Sequence, residues 1–206
     1  KLKIKNYLII MDELNMNVLL NRTSIEHNFI EVLNNFEANK KNLLTKRGIY
    51  IYGSPGSGKS YFCKEILKKL NYDTIVFDAG DIRNKSVIEN ITKHNMSDKN
   101  IKILFNKKEK KKKIAIIMDE IDGMNSGDKG GINSLIKLIR PKKTKKQKKE
   151  QITMNPIICI GNYHIDKKIK EMMKICISYE LEKPTNEQIM KISKMLMPTL
   201  DNQLMK

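Results

Sequence analysis

The sequence predicts an α/β domain over residues 1–183, a five-stranded parallel sheet sandwiched by helices, with the beginning of a helical lid domain over 184–206. Three observations predict it. Five short runs of β-branched and aliphatic residues recur along the chain, separated by helical or polar stretches, the alternation that builds a parallel sheet. The first run feeds a glycine loop, Gly53-Ser54-Pro55-Gly56-Ser57-Gly58-Lys59-Ser60, and that loop opens a helix. The third run ends in the paired carboxylates Asp119-Glu120. Right-handed crossovers bring such strand-end features together at the carboxyl edge of the sheet.

In chain order, Leu2, Ile4, Leu8, Ile9 and Ile10 suit an edge strand or a lead-in segment. Thr23 and Glu26 have capping-box spacing and mark a helix start, with Ile25, Phe29, Val32, Leu33 and Phe36 on one face. A polar link, 37–46, leads to the first strand, Gly48-Ile49-Tyr50-Ile51-Tyr52. After the glycine loop, Phe62, Cys63, Ile66, Leu67 and Leu70 recur at helical spacing. The second strand is Thr74-Ile75-Val76-Phe77, followed by helices from Ser86 toward His94 and from Asp98 through Phe105. Residues 107–113, six lysines and one glutamate, cannot enter a core and read as a loop. Ile114-Ala115-Ile116-Ile117-Met118 is the third strand and the most apolar. Gly123, Gly127, Gly130 and Gly131 read as a flexible link to a helical stripe, Ile132, Leu135, Ile136, Leu138 and Ile139, which Pro141 ends. A second lysine run, 142–149, holds six lysines in eight residues; like the first it is expected at the amino edge of the sheet, either as a solvated loop or in sequence-independent contact with phosphate. The fourth strand spans 156–162 and closes on Asn162; a helix over 166–174 precedes the fifth, 177–181. Pro184 breaks the chain before an amphipathic helix over 186–196.

Composition narrows the partners. Across 206 residues, 40 Lys+Arg against 23 Asp+Glu leave a formal charge of +17, almost all of it lysine. Lysine is a point charge suited to diffuse attraction to phosphate more than to base readout, and compositional bias of the source is the competing explanation. No apolar run reaches the length that crosses a bilayer, so no membrane partner is expected. Cys63, Cys159 and Cys176 sit inside apolar runs without metal-ligand spacing, which suits a reducing, intracellular compartment. His27, His94 and His164 are scattered and support no histidine catalysis. The chain shows no signal peptide and starts at Lys1 rather than Met, which points to a segment of something larger.

The loop fits G-x-x-x-x-G-K-[ST] in the strand–loop–helix setting that the motif requires. Glycines let successive backbone N–H groups turn toward an anion, and the helix N-terminus adds its partial positive charge. The expected ligand is ATP with Mg²⁺, held by Gly53, Ser54, Pro55, Gly56, Ser57, Gly58, Lys59, Ser60 and Tyr61. Lys59 reaches the β- and γ-phosphates, while Ser60 and Asp119 take the metal. Glu120 is placed to polarise an attacking water, and Asn162 to orient it. Asn after Gly is by itself more often a plain turn, so Asn162 gains weight from the other two motifs. Asp81 and Arg83 read as a cap and a surface ion pair.

These motifs together resemble the AAA+ ATPases. Within that family, Phe77-Asp78-Ala79-Gly80-Asp81-Ile82-Arg83-Asn84-Lys85-Ser86 resembles the Asn-Ala-Ser-Asp-x-Arg-x-Lys-Ser stretch of the replication factor C large subunit. Ile117-Met118-Asp119-Glu120-Ile121-Asp122-Gly123-Met124, the stretch from Gly130 to Ile139 and the 156–162 strand are similar to its following segments, the likeness covering about 48–190. The resemblance implies a clamp loader, which uses ATP to open a sliding clamp and place it on primer–template DNA beside other AAA+ subunits. It implies a nuclear, or a viral or cytoplasmic, replication site, and a clamp contact at the helix over 132–139. Where small subunits of that family carry a Ser-Arg-Cys finger, this chain reads Lys174-Ile175-Cys176, a departure shared with the large subunit. The Lys-Tyr-x-Pro box near the adenine is not evident, the lid is barely begun at Leu200, and 142–149 looks like an insertion. Two other readings stand beside this one: an ATP-binding structural subunit without its own hydrolysis, and a small P-loop kinase. A kinase needs mobile arginines over the phosphates, and only Arg22, Arg47, Arg83 and Arg140 are present.

Overall fold

Five strands, β1 (Gly48–Tyr52), β2 (Tyr72–Phe77), β3 (Lys113–Met118), β4 (Ile157–Gly161) and β5 (Ile177–Glu180), form one sheet in the order β2-β3-β4-β1-β5, with every pair parallel. The computed structural model describes residues 16–78, 81, 88, 113–125, 130–150, 152–163 and 167–196. The lead-in strand, Arg83, the helices expected between Ser86 and Phe105 apart from Ile88, the lysines of 107–112 and Leu200 lie outside the described residues.

The helices are α1 (Met16–Leu19), α2 (Thr23–Ala38), α3 (Lys59–Lys69), α4 (Gly131–Ile139), α5 (Lys145–Lys148), α6 (Lys167–Ile175) and α7 (Asn186–Leu196), with a 3-10 turn at Ile121–Asn125. Strand alternation splits the core in two. Ile49 and Ile51 of β1 and Ile158 and Ile160 of β4 face α2 and α3, meeting Phe29, Leu33, Phe62 and Ile66. Tyr50, Ile116 and Cys159 face α4 and α6, meeting Leu135, Ile139 and Met172. With both faces covered, β1 and β4 are buried nearly end to end, which is why they read as continuous apolar runs.

The order places β4 between β3 and β1, so the helices leaving β1 and β4 diverge to opposite faces and open a crevice at their carboxyl ends. Register then sets the heights. Tyr52 is level with Gly161 and Glu180, and Met118 with Cys159. The loop after Tyr52 and the residue after Gly161 therefore leave the sheet side by side, and Asp119 leaves it close beneath them.

Three expectations are corrected. The Thr23/Glu26 capping box does not form: Arg22 takes the cap position, Thr23 is already helical, and Glu26 pairs with Lys69 at 2.9 Å. The backbone N–H of Arg22 bonds the Asn17 carbonyl at 2.7 Å, which fixes the helix entry one residue early. Capping boxes do form at Thr144/Gln147 and at Thr185/Gln188. The glycine link is in part ordered, since Gly123 lies in the 3-10 turn and Gly130 is the left-handed cap of α4.

The second lysine run is not a solvated loop throughout. Lys142 is fully buried, its Nζ donating to the Lys137 carbonyl and to Glu150 Oε2 at 3.0 Å. Arg140 grips the same carboxylate, and the Lys142 N–H bonds the Leu43 carbonyl at 2.8 Å. Glu150 supplies the counter-charge that lets a lysine enter the protein there. The other lysines of the run, Lys143, Lys145, Lys146, Lys148 and Lys149, remain exposed, beside the segment that enters β1 at the amino edge.

Candidate functional site

The glycine loop is shaped by contacts that tolerate no side chain. A Cβ on Gly53 would lie 2.2 Å from the Leu181 carbonyl oxygen, so the loop can leave β1 against β5 only as glycine. Gly56 and Gly58 adopt φ of 78° and 79°, the left-handed region that a residue with a Cβ enters at a cost of about 1–2 kcal/mol. Gly58 is the cap of α3, which puts Lys59 and Ser60 in the first turn of that helix.

Lys59 Nζ donates to the carbonyls of Gly53 and Ser54, both at 2.9 Å, and to Asn162 Oδ1 at 3.2 Å. Burial pushes the Lys59 ammonium below its ordinary range, against the pull of Asp119 and Asp122 in the other direction. Ser60 Oγ donates to Asp119 Oδ2 at 2.6 Å, and Asp119 Oδ1 accepts the backbone N–H of Glu120 at 2.9 Å. The ends of β1, β3 and β4 and the start of α3 thus converge on one spot, joined through Lys59, Ser60, Asp119 and Asn162. Glu120 stands at the same edge, exposed, with φ of 49° at the entry to the 3-10 turn. Pro55 is exposed at the loop tip, and Ser57 is buried in it.

Among the described residues no group of three or more His, Cys, Asp or Glu could hold a metal unaided. Ser60 Oγ and Asp119 Oδ2 are adjacent hard oxygen donors, which fits Mg²⁺, an ion that takes few protein ligands and completes its shell from phosphate and water. Beside the loop lies a cavity of about 320 Å³, walled by Met16, Leu20, Tyr61, Pro184, Ile189 and Ile192. It has the size and apolar lining of a small-ligand pocket. Tyr61 is brought to this cavity, away from the Lys59–Asn162 cluster.

Two residues at the site were not singled out from the sequence. The Arg22 guanidinium is buried and donates to the carbonyls of Ser57 and Glu182, each at 2.7 Å, tying the glycine loop to the segment after β5. The available signal was scarcity, because a chain that spends lysine freely keeps four arginines, and a guanidinium carries more donors than an ammonium. Asp122, three residues beyond Asp119, accepts the Asn162 Nδ2 hydrogen at 3.0 Å. Asp81 accepts the Asp78 N–H at 2.8 Å, a contact within the turn that follows β2.

Residues 49–200 match the family described as ATPase family associated with various cellular activities (AAA). The chain is 31% identical over 158 residues to replication factor C subunit 1 of Arabidopsis thaliana, covering 71% of this chain and 15% of that protein. It is 28% identical over 171 residues to replication factor C subunit 1 of Saccharomyces cerevisiae, covering 76% and 19%. With the replication factor C large subunit of Nanoarchaeum equitans it shares 26% over 165 residues, covering 80% and 34%. The chain therefore spans well under half the length of these relatives. The solved structure of C. elegans PCH-2 aligns with a TM-score of 0.51 at 17% identity, over 87% of this chain and 49% of that one, a likeness of fold.

Proposed function

Because the chain belongs to the AAA family of ATPases, we propose that its carboxyl edge binds ATP with Mg²⁺ and hydrolyses it in the service of a clamp loader. The observation that carries this is the meeting of Lys59, Ser60, Asp119 and Asn162 at the end of three strands. Lys59 exchanges the Gly53 and Ser54 carbonyls for the β- and γ-phosphates. Ser60 and Asp119 hold the metal, which neutralises charge on those phosphates. Glu120 accepts a proton from the attacking water, and Asn162 orients it. The adenine enters the cavity beside Tyr61, closed on its far side by α7, which we read as the first helix of the lid begun at residue 184.

The replication factor C relatives support a large-subunit-like place in a hetero-oligomer that handles a sliding clamp and primer–template DNA. This implies a compartment where DNA is copied, the nucleus in a eukaryote; the plant and yeast relatives lend no support to a viral or cytoplasmic site. The chain has isoleucine, Ile175, where a small subunit would carry its finger arginine. Its own γ-phosphate needs a cation supplied in trans, an effect worth about 10³ to 10⁵ in rate. Steady-state hydrolysis tests the reading. The chain alone should turn over slowly, and adding partner subunits, clamp and primed DNA should accelerate it, with the DNA effect fading as salt rises. Brisk turnover by the isolated chain, independent of its concentration, would contradict the trans cation.

A further inference from the structure

We propose that Asp122 is a positioning residue that fixes the Asn162 amide with its oxygen, not its nitrogen, toward the γ-phosphate side of the site. This rests on the nucleotide reading above and deepens it. The amide lies between two groups of opposite hydrogen-bonding character. An ammonium only donates and a carboxylate only accepts. Oδ1 therefore faces Lys59 Nζ at 3.2 Å, and Nδ2 faces Asp122 Oδ2 at 3.0 Å. The flipped amide would set donor against donor and acceptor against acceptor.

Of these two anchors, Lys59 is the one that leaves when phosphates fill the loop. Asp122 then remains, and Asn162 Oδ1 is released as an acceptor. An acceptor takes a hydrogen bond from water but cannot donate one to a phosphate oxygen. Asn162 so held orients the attacking water and does not clamp the γ-phosphate.

The surroundings are arranged for this contact. Ile121 and Met124, both buried, pin the 3-10 turn on either side of Asp122. A Cβ on Gly161 would lie 2.3 Å from Tyr50 Oη and 3.3 Å from Asp122 Oδ1, so glycine before Asn162 leaves room for both. Asp122 Oδ1 is buried without a hydrogen-bond partner among the described residues, a cost that packing alone gives no reason to bear.

Nitrogen–proton correlation NMR of the isotopically labelled chain reads the amide directly, with and without a non-hydrolysable ATP analogue and Mg²⁺. One Nδ2 proton of Asn162 should be shifted downfield in the free chain and stay shifted when the analogue binds. Asp122→Ala should abolish the shift, and Asp122→Asn, whose amide oxygen still accepts, should keep it. In single-turnover hydrolysis with the chain in excess, Asp122→Ala should slow the step about 10- to 100-fold at unchanged analogue affinity. Asp122→Asn should retain most of the rate, and on an Asn162→Ala background Asp122→Ala should cost nothing further. An unshifted amide proton in the unsubstituted chain, or full cost on the Asn162→Ala background, overturns the positioning role. Failure of the unsubstituted chain to bind the analogue overturns the nucleotide reading beneath it instead.

Discussion

Asp119 and Glu120 are adjacent carboxylates in unlike surroundings. Asp119 is half-buried with one oxygen on Ser60 Oγ and the other on a backbone N–H, an arrangement that holds charge in place. Glu120 is exposed, and its φ of 49° turns the chain out of β3 at the cost that any residue with a Cβ meets there. The division of labour predicts that Glu120→Gln binds ATP within about twofold of the unsubstituted chain while hydrolysis falls about 10²- to 10⁴-fold, because an amide cannot accept the proton. Rapid-quench hydrolysis beside a nucleotide titration checks it, and equal rates would remove Glu120 from the chemistry. The grouping of Lys59, Ser60, Asp119 and Asn162 was legible in the sequence because each is tied by spacing to a strand end. Arg22 and Asp122 were not, because no motif spacing assigns either a partner, and their bonds to Ser57, Glu182 and Asn162 emerge only in the fold.

Element by element, the apolar runs announced the five strands, and their limits shifted by one or two residues: β4 and β5 are shorter than expected, ending at Gly161 and Glu180, and β2 and β3 are longer. β2 begins at Tyr72 rather than Thr74 because Tyr72 and Asp73 still pair with Lys113 and Ile114. The lysine run misled for a physical reason: six like charges look solvated until a single carboxylate, placed just after them, draws Lys142 and Arg140 inward. Burial tends to raise the Glu150 pKa, but hydrogen bonds from Arg140 and Lys142, together with their charges, hold it below the usual carboxylate range. A depressed carboxylate stabilises the fold above its unfolded pKa and loses that contribution as pH falls through the folded value. Glu150→Gln should therefore cost about 1–2 kcal/mol at neutral pH, part of the pair being screened at the surface. In urea unfolding, the gap from the unsubstituted protein should close as pH drops below about 4. A gap that is constant with pH would mean that the pair does not hold this segment.

At the scale of the molecule, the strand order β2-β3-β4-β1-β5 makes one crevice, and register brings three strand ends to it. Among the described residues, the exposed lysines of α5 lie at the amino edge, whereas the crevice holds the half-buried Lys59. No helix among the described residues is long and apolar enough to cross a membrane. In the proposed function that crevice is an ATP site whose phosphate cation is Lys59. Isothermal titration of ATP and Mg²⁺ into the unsubstituted chain and Lys59→Ala tests this most directly, with thermal melts confirming that both are folded. The charge-assisted hydrogen bonds that Lys59 would make predict a loss of affinity of about 10- to 100-fold; equal affinity in the two proteins would contradict it.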